Sequence, residues 1–165
     1  MPSKKIFPIL ILFSMLAIIL LTSCNTVSAD ASKSENAGPF PMASMDQMPV
    51  DVQKAPPVVS EAYQFAFANA QILKQLPCYC GCGGMGHTSN YSCYVKDVSA
   101  DGKIAYDSHA LGCSICVDIT QDTMRLLKQG KSVAEIRTYV DQTYAQYGPS
   151  NMLGVNGTPG VNNTP

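Results

Sequence analysis

Six cysteines crowded into 39 residues constrain this chain more than anything else in it: Cys78, Cys80 and Cys82 in LPCYCGCGG, then Cys93, then Cys113 and Cys116 in HALGCSIC. A domain that gathers six thiols from three segments is committed to metal ligation, disulfide bridging or thiol redox chemistry. It also needs loops that fold back on themselves. In an extended C-x-C-x-C run the three side chains fall on one side, about 6.6 Å apart. That is too wide for one metal ion with sulfur bonds of about 2.3 Å, so a turn is required, and Gly81, Gly83, Gly84 and Gly86 supply the freedom for it.

The seventh cysteine, Cys24, closes a short apolar leader. Lys4 and Lys5 precede a 16-residue apolar run, Ile6 to Leu21. That is shorter than the about 20 residues a spanning helix needs and near the length of a signal-peptide core. Leu21-Thr22-Ser23-Cys24 is similar to a bacterial lipobox, in which the cysteine is acylated and becomes the new N-terminus. The expected organisation is a lipoprotein signal peptide over 1–23, a lipidated disordered tether over 24–59 rich in Pro, Ser and Ala, a cysteine-rich helical domain over 60–148, and a disordered tail over 149–165. With Lys4 and Lys5 removed, 9 basic residues stand against 12 acidic, a net charge of about −3. There is no basic patch to attract nucleic acid. The expected location is the outer face of a bacterial cell membrane, reached through lipid on Cys24.

Hydrophobic spacing places three helices in the domain. The first runs from a Ser60 cap to Gln75 and is stopped by Pro77. The second runs from near Cys113 to Gln129, ended by Gly130 in a left-handed conformation. The third opens on the capping box Ser132-Val133-Ala134-Glu135 and carries Ile136, Tyr139, Val140, Tyr144 and Tyr147 on its core side. Between helices one and two, residues 94–98 and 103–106 flank Asp101-Gly102 as a hairpin, with a short helix around 91–95 as the competing expectation. The fold class is therefore mainly α: a small three-helix bundle with a cysteine-rich loop or hairpin inserted between helices one and two.

Pro77-Cys78-Tyr79-Cys80-Gly81-Cys82 spells PCYCGC, and with H-A-x-x-C-x-x-C and G-K-S-x-x-E-I downstream the chain resembles the PCYCGC-motif family of predicted bacterial lipoproteins. The resemblance implies class and anchoring. A weaker likeness links Leu76, Met124-Arg125, Gly130, Ser132, Glu135-Ile136 and Tyr147-Gly148 to the thiol-reductase subunit of cytochrome c maturation. It implies a three-helix bundle; here C-x-C-x-C, a 30-residue insertion and a second C-x-x-C replace its single C-x-x-C.

The candidate metal ligands are Cys78, Cys80, Cys82, Cys93, Cys113 and Cys116 with His109 and His87, although a loop histidine such as His87 is more readily solvated and His109 is as readily a helix-capping side chain. Thiolates and imidazoles select soft or borderline metals over calcium or magnesium. Six thiols exceed the four of a structural zinc site, which favours copper as Cu(I), with zinc as the alternative. Met42, Met45 and Met48, at M-x-x-M-x-x-M spacing, are candidates for auxiliary copper capture. The corresponding role is storage, detoxification or delivery to a membrane cuproprotein or metal exporter. Two alternatives stay open. One is a thiol–disulfide oxidoreductase using Cys113 and Cys116, whose position at a helix N-terminus should favour thiolates. The other is a disulfide-stapled structural module. No G-x-S-x-G, H-E-x-x-H or P-loop pattern is present, so an enzyme is the less favoured expectation.

Overall fold

The computed structural model describes residues 39–152. The expected signal peptide over 1–23, Cys24 with the first part of the expected tether (25–38), and residues 153–165 lie outside the described residues. Among the described residues no helix is long and apolar enough to cross a membrane. The described chain is mainly helical with one small antiparallel sheet. Its helices are α1 (Val50–Gln53), α2 (Pro57–Ala68), α3 (Ala70–Leu73), α4 (Ser114–Lys128) and α5 (Val133–Tyr144), and its strands are β1 (Val95–Val98) and β2 (Ile104–Tyr106).

The first long helix starts earlier than its expected Ser60 cap. Pro57 occupies its first turn, where a missing N–H costs nothing, and Ser60 lies inside the helix. It breaks at Asn69, whose side-chain amide donates to the carbonyls of Phe65 (2.9 Å) and Pro41 (2.8 Å). A side chain competing for backbone partners in this way explains the step between α2 and α3. Helix α4 agrees closely with its sequence pattern. Cys116, Val117, Ile119, Thr120, Thr123, Met124 and Leu126 are its buried face, and Gly130 follows at φ +78°. Complete burial of Ile119 alone contributes roughly 1.5–3 kcal/mol.

Helix α4 lies at the centre, with α2 packed on it and α5 packed on it, but α2 and α5 make no contact of similar extent. The cysteine segment supplies the missing connection. Tyr94 sets its ring edge-on to Tyr63 of α2 at 4.9 Å. The Tyr79 hydroxyl donates to Asp141 Oδ1 of α5 at 2.6 Å, and Arg137 of α5 donates to the Gln75 carbonyl at 3.1 Å. A plain three-helix bundle is thus replaced by helices arranged around an inserted loop. The inserted hairpin pairs Val95 with Tyr106 and Val98 with Ile104, turning at Gly102 (φ +81°). Both expectations for its approach are met in part, because Tyr91–Cys93 is a 3-10 turn directly before β1.

Two boundaries are corrected. Residues 39–59 are folded rather than tether. Phe40, Ala43, Met48 and Val52 are buried, and Ala43 exchanges hydrogen bonds with Gln64 of α2 through N–H to carbonyl (3.1 Å) and side-chain amide to carbonyl (2.7 Å). Pro49 and Pro56 are the N-caps of α1 and α2 and Pro57 opens α2, so these prolines start helices without preventing apolar side chains from docking. Residues 149–152 are not tail either, because Asn151 is built into the cysteine loop. Tyr147, expected in the core, is 58 % exposed, since the chain leaves α5 through a 3-10 turn and rotates it outward.

The capping box of α5 forms as expected: Glu135 N–H donates to Ser132 Oγ, and Ser132 N–H donates to Glu135 Oε2 at 2.9 Å. These bonds, that from the Ser132 backbone first, hold the Glu135 carboxyl down at about 2. A lowered folded-state pKa stabilises above the ordinary value of 4.5 and is lost as pH falls toward 2. Fraying of α5 is expected within that acid window, and Glu135→Gln should flatten the dependence when helicity is followed by circular dichroism.

Candidate metal centre

Each segment that carries a cysteine is held by contacts local to it. After Pro77 the chain turns at Gly81 (φ +81°) into a 3-10 turn over Cys82–Met85 and leaves it at Gly86 (φ +88°). Only a residue without Cβ enters the left-handed region freely, and this turn closes the wide spacing of an extended C-x-C-x-C. Cys93 ends the 3-10 turn before β1. Cys113 is the N-cap of α4, and Cys116 lies in its first turn. A buried polar group fastens these segments together. Asn90 donates to the Cys116 carbonyl at 3.2 Å, Thr120 donates to Asn90 Oδ1 at 2.8 Å, and the Tyr94 hydroxyl meets Thr120 Oγ1 at 2.7 Å.

From the other side, the Asn151 side-chain oxygen accepts from the Cys78 N–H at 2.7 Å. Its amide donates to the Ser89 carbonyl at 3.1 Å and faces Cys82 Sγ at 3.5 Å. The Asn151 N–H returns a bond to the Cys78 carbonyl at 3.0 Å. Gly148 permits this approach, because a Cβ there would stand 2.8 Å from the Tyr79 carbonyl oxygen.

The sulfurs meet closely. Cys78 Sγ lies 3.2 Å from Cys116 Sγ and 3.5 Å from Cys80 Sγ; Cys80 and Cys116 are 3.6 Å apart, Cys113 and Cys116 3.4 Å, and Cys82 and Cys93 3.7 Å. His109 Nε2 stands 3.4 Å from Cys80 Sγ. Sulfurs at two vertices of a tetrahedron around a metal, with bonds of about 2.3 Å, lie about 3.8 Å apart. A disulfide brings them to about 2.05 Å, and all six described cysteines are free thiols. The distances therefore suit ligation. Two four-donor sets fall within 4.8 Å: Cys80, His109, Cys113 and Cys116, and Cys82, His87, Cys93 and His109. The trios Cys78, Cys93, Cys116 and Cys78, Cys80, Cys82 join them. All eight residues expected from the sequence stand in one continuous cluster.

Thiols in contact do not ionise independently. Cys116, the largest influence on both, holds Cys80 and Cys82 below the ordinary thiol range, while Cys116 is pushed far up, chiefly by Cys78. Cys113 is raised by burial. The helix N-terminus was expected to favour thiolates at Cys113 and Cys116, and burial among other sulfurs outweighs it. Metal binding to such a set would release the remaining protons.

His87 departs from its expectation as a solvated loop residue. It is 9 % exposed, with Nε2 at 3.4 Å from Asp107 Oδ2, and its Nδ1 is buried with no hydrogen-bond partner. Met85 is exposed beside it. Of the methionine run, one member is withdrawn into the core and two are half-buried against it. Met48 is 3 % exposed within the core, and Met42 lines a groove with Phe40, Gln64 and Met124. Sequence reasoning passed over Asp107, Asn90, Thr120 and Asn151. Of these only Asp107 left a signal, two residues before a candidate ligand.

A small helical domain built around a clustered cysteine and histidine site defines the class. Among known families, the profile described as "protein of unknown function with PCYCGC motif" matches residues 11–152, a span that takes in every residue of the cluster. The chain belongs to that family. No curated protein and no solved structure matches it.

Proposed function

We propose that this protein is a membrane-tethered, extracytoplasmic lipoprotein, anchored through acyl chains on Cys24, that binds Cu(I) in preference to zinc through its clustered thiolates. The observation that carries this reading is the convergence of six free sulfurs at 3.2–3.7 Å spacings, more soft donors than one zinc ion employs. Delivery suits the site better than sealed storage. Cys80, His109 and Cys113 are each part-exposed, so the sulfur-rich edge is open to exchange with a membrane cuproprotein or exporter.

One observation favours thiol–disulfide exchange instead: the 3.2 Å approach of the Cys78 and Cys116 sulfurs. Against it, burial raises the pKa of Cys113, the expected attacking thiol, and so disfavours its thiolate. Full-length chain purified in detergent without oxygen decides between them. Copper and zinc are counted by elemental analysis and free thiols by titration on one sample. Cu(I) bound at one or more per chain, with thiols that react only after metal removal, is the expected result. Thiols that stay reactive in the presence of Cu(I), or that turn over a model disulfide, would overturn it.

A further inference from the structure

We infer that the cluster is two metal sites of different class: beside the sulfur-rich set, Cys82, His87, Cys93 and His109 form a closed two-sulfur, two-nitrogen site for a divalent ion of the zinc class. The inference rests on the reading of these cysteines as metal ligands and adds the division of labour among them.

Donor chemistry separates the sets. His109 stands within reach of both. Assigned to the second set, it leaves Cys80, Cys113 and Cys116, with Cys78 in contact with Cys80 and Cys116, as an all-sulfur group suited to Cu(I). The other four donors are two thiols and two imidazoles, a combination that suits zinc. Burial grades them as well: the second set has three buried donors and one half-buried, His109, whereas the sulfur-rich set pairs the buried Cys78 and Cys116 with the half-buried Cys80 and Cys113.

Histidine geometry is the independent observation. His87 is nine-tenths buried, and its Nδ1 has no partner, an arrangement that is costly unless something accepts its lone pair. Its other nitrogen faces the Asp107 carboxylate at 3.4 Å, the relation by which a carboxylate fixes the tautomer and orientation of a metal-bound imidazole. The same carboxylate accepts the His109 backbone N–H through Oδ1 at 2.8 Å, so Asp107 positions both histidines. The two rings stand edge to face with centroids 5.1 Å apart. Imidazoles on adjacent vertices of a tetrahedral zinc, with Zn–N bonds of about 2.0–2.1 Å, place their centroids at about 5 Å. Four protein donors leave no open position, so the ion is structural. It would pin the Cys82–Met85 turn to the segment after β2 while the exposed sulfur edge exchanges its own metal.

The test loads the full-length chain with zinc without oxygen and then titrates it with Cu(I). One zinc per chain should remain while copper fills the sulfur-rich set, and zinc-edge X-ray absorption on the unaltered chain should read two sulfur and two nitrogen neighbours. His87→Gln should weaken zinc binding at least 100-fold, and Asp107→Asn about 10- to 100-fold. Zinc lost to the first equivalent of copper, a zinc shell of three or four sulfurs, or zinc affinity unchanged in His87→Gln would overturn the second site. Copper held without zinc would overturn this inference alone, whereas neither metal held would overturn the proposed function with it. Should His87→Gln fail to fold, the absorption spectrum of the unaltered chain still decides.

Discussion

Serine in place of Cys116 is expected to weaken Cu(I) binding more than any other single cysteine change. The Cys116 sulfur touches Cys78, Cys80 and Cys113 at 3.2, 3.6 and 3.4 Å, and belongs both to a four-donor set and to a trio with Cys78 and Cys93. Removing it breaks all three of these sulfur contacts at once, in a fully buried position. Loss of a directly bound ligand exceeds the 10- to 100-fold typical of outer partners, so affinity should fall on the order of 100-fold or more. Cys113→Ser, on the part-exposed edge and in one set only, should cost distinctly less. Competition with a chromophoric Cu(I) chelator reads both variants. Equal losses would mean that the sulfurs act as independent binders rather than as sets joined through Cys116.

The second large effect is expected at Asn151. Its side chain satisfies the Cys78 N–H and the Ser89 carbonyl, and both bonds join segments more than sixty positions apart in the chain. Leaving a part-buried donor and acceptor unpaired costs about 1–3 kcal/mol for each. Asn151→Ala should therefore destabilise the fold by about 2–6 kcal/mol, lowering the melting temperature by roughly 10 °C or more. Ending the chain after residue 148 should do at least as much, since it also removes the backbone bond from Asn151 to Cys78. If residues from 149 onward were only tail, both variants would melt with the parent, and thermal unfolding by circular dichroism distinguishes the cases.

The parts of the fold legible in the sequence were those governed by local rules. The capping box at Ser132, the left-handed Gly130, the period of α4 and the turn at Asp101-Gly102 each depend on a few neighbouring residues, and each was found where expected. What was not legible is non-local. Nothing near Phe40 or Met48 says that they join the core, Phe40 with its ring edge-on to Phe65 of α2, because composition alone makes a proline-rich stretch look like linker. Nothing near Asn151 says that its amide faces residues of the cysteine loop. The candidate site divides in the same way. Its ligand types were visible as an unusual density of Cys and His, yet their grouping depends on the buried Asn90, Thr120 and Tyr94 contacts and on Asp107, which are ordinary residues until the chain closes around them. The opposite error at Cys113 has the same origin. A helix terminus is a local feature, and the burial that outweighs it belongs to the whole cluster.

The bond between Asn151 and Cys78 spans 73 positions, and this separation sets an order of events during synthesis. At roughly 5–20 residues per second, Cys78, Cys80 and Cys82 emerge about 4–15 s before the residue that fastens their loop. For that interval three neighbouring thiols wait, unshielded, on a chain that has no finished cage to place them in. The stretch carrying these three cysteines is therefore open to oxidation, or to capture of the wrong ion, for as long as its distant fastening is still to come.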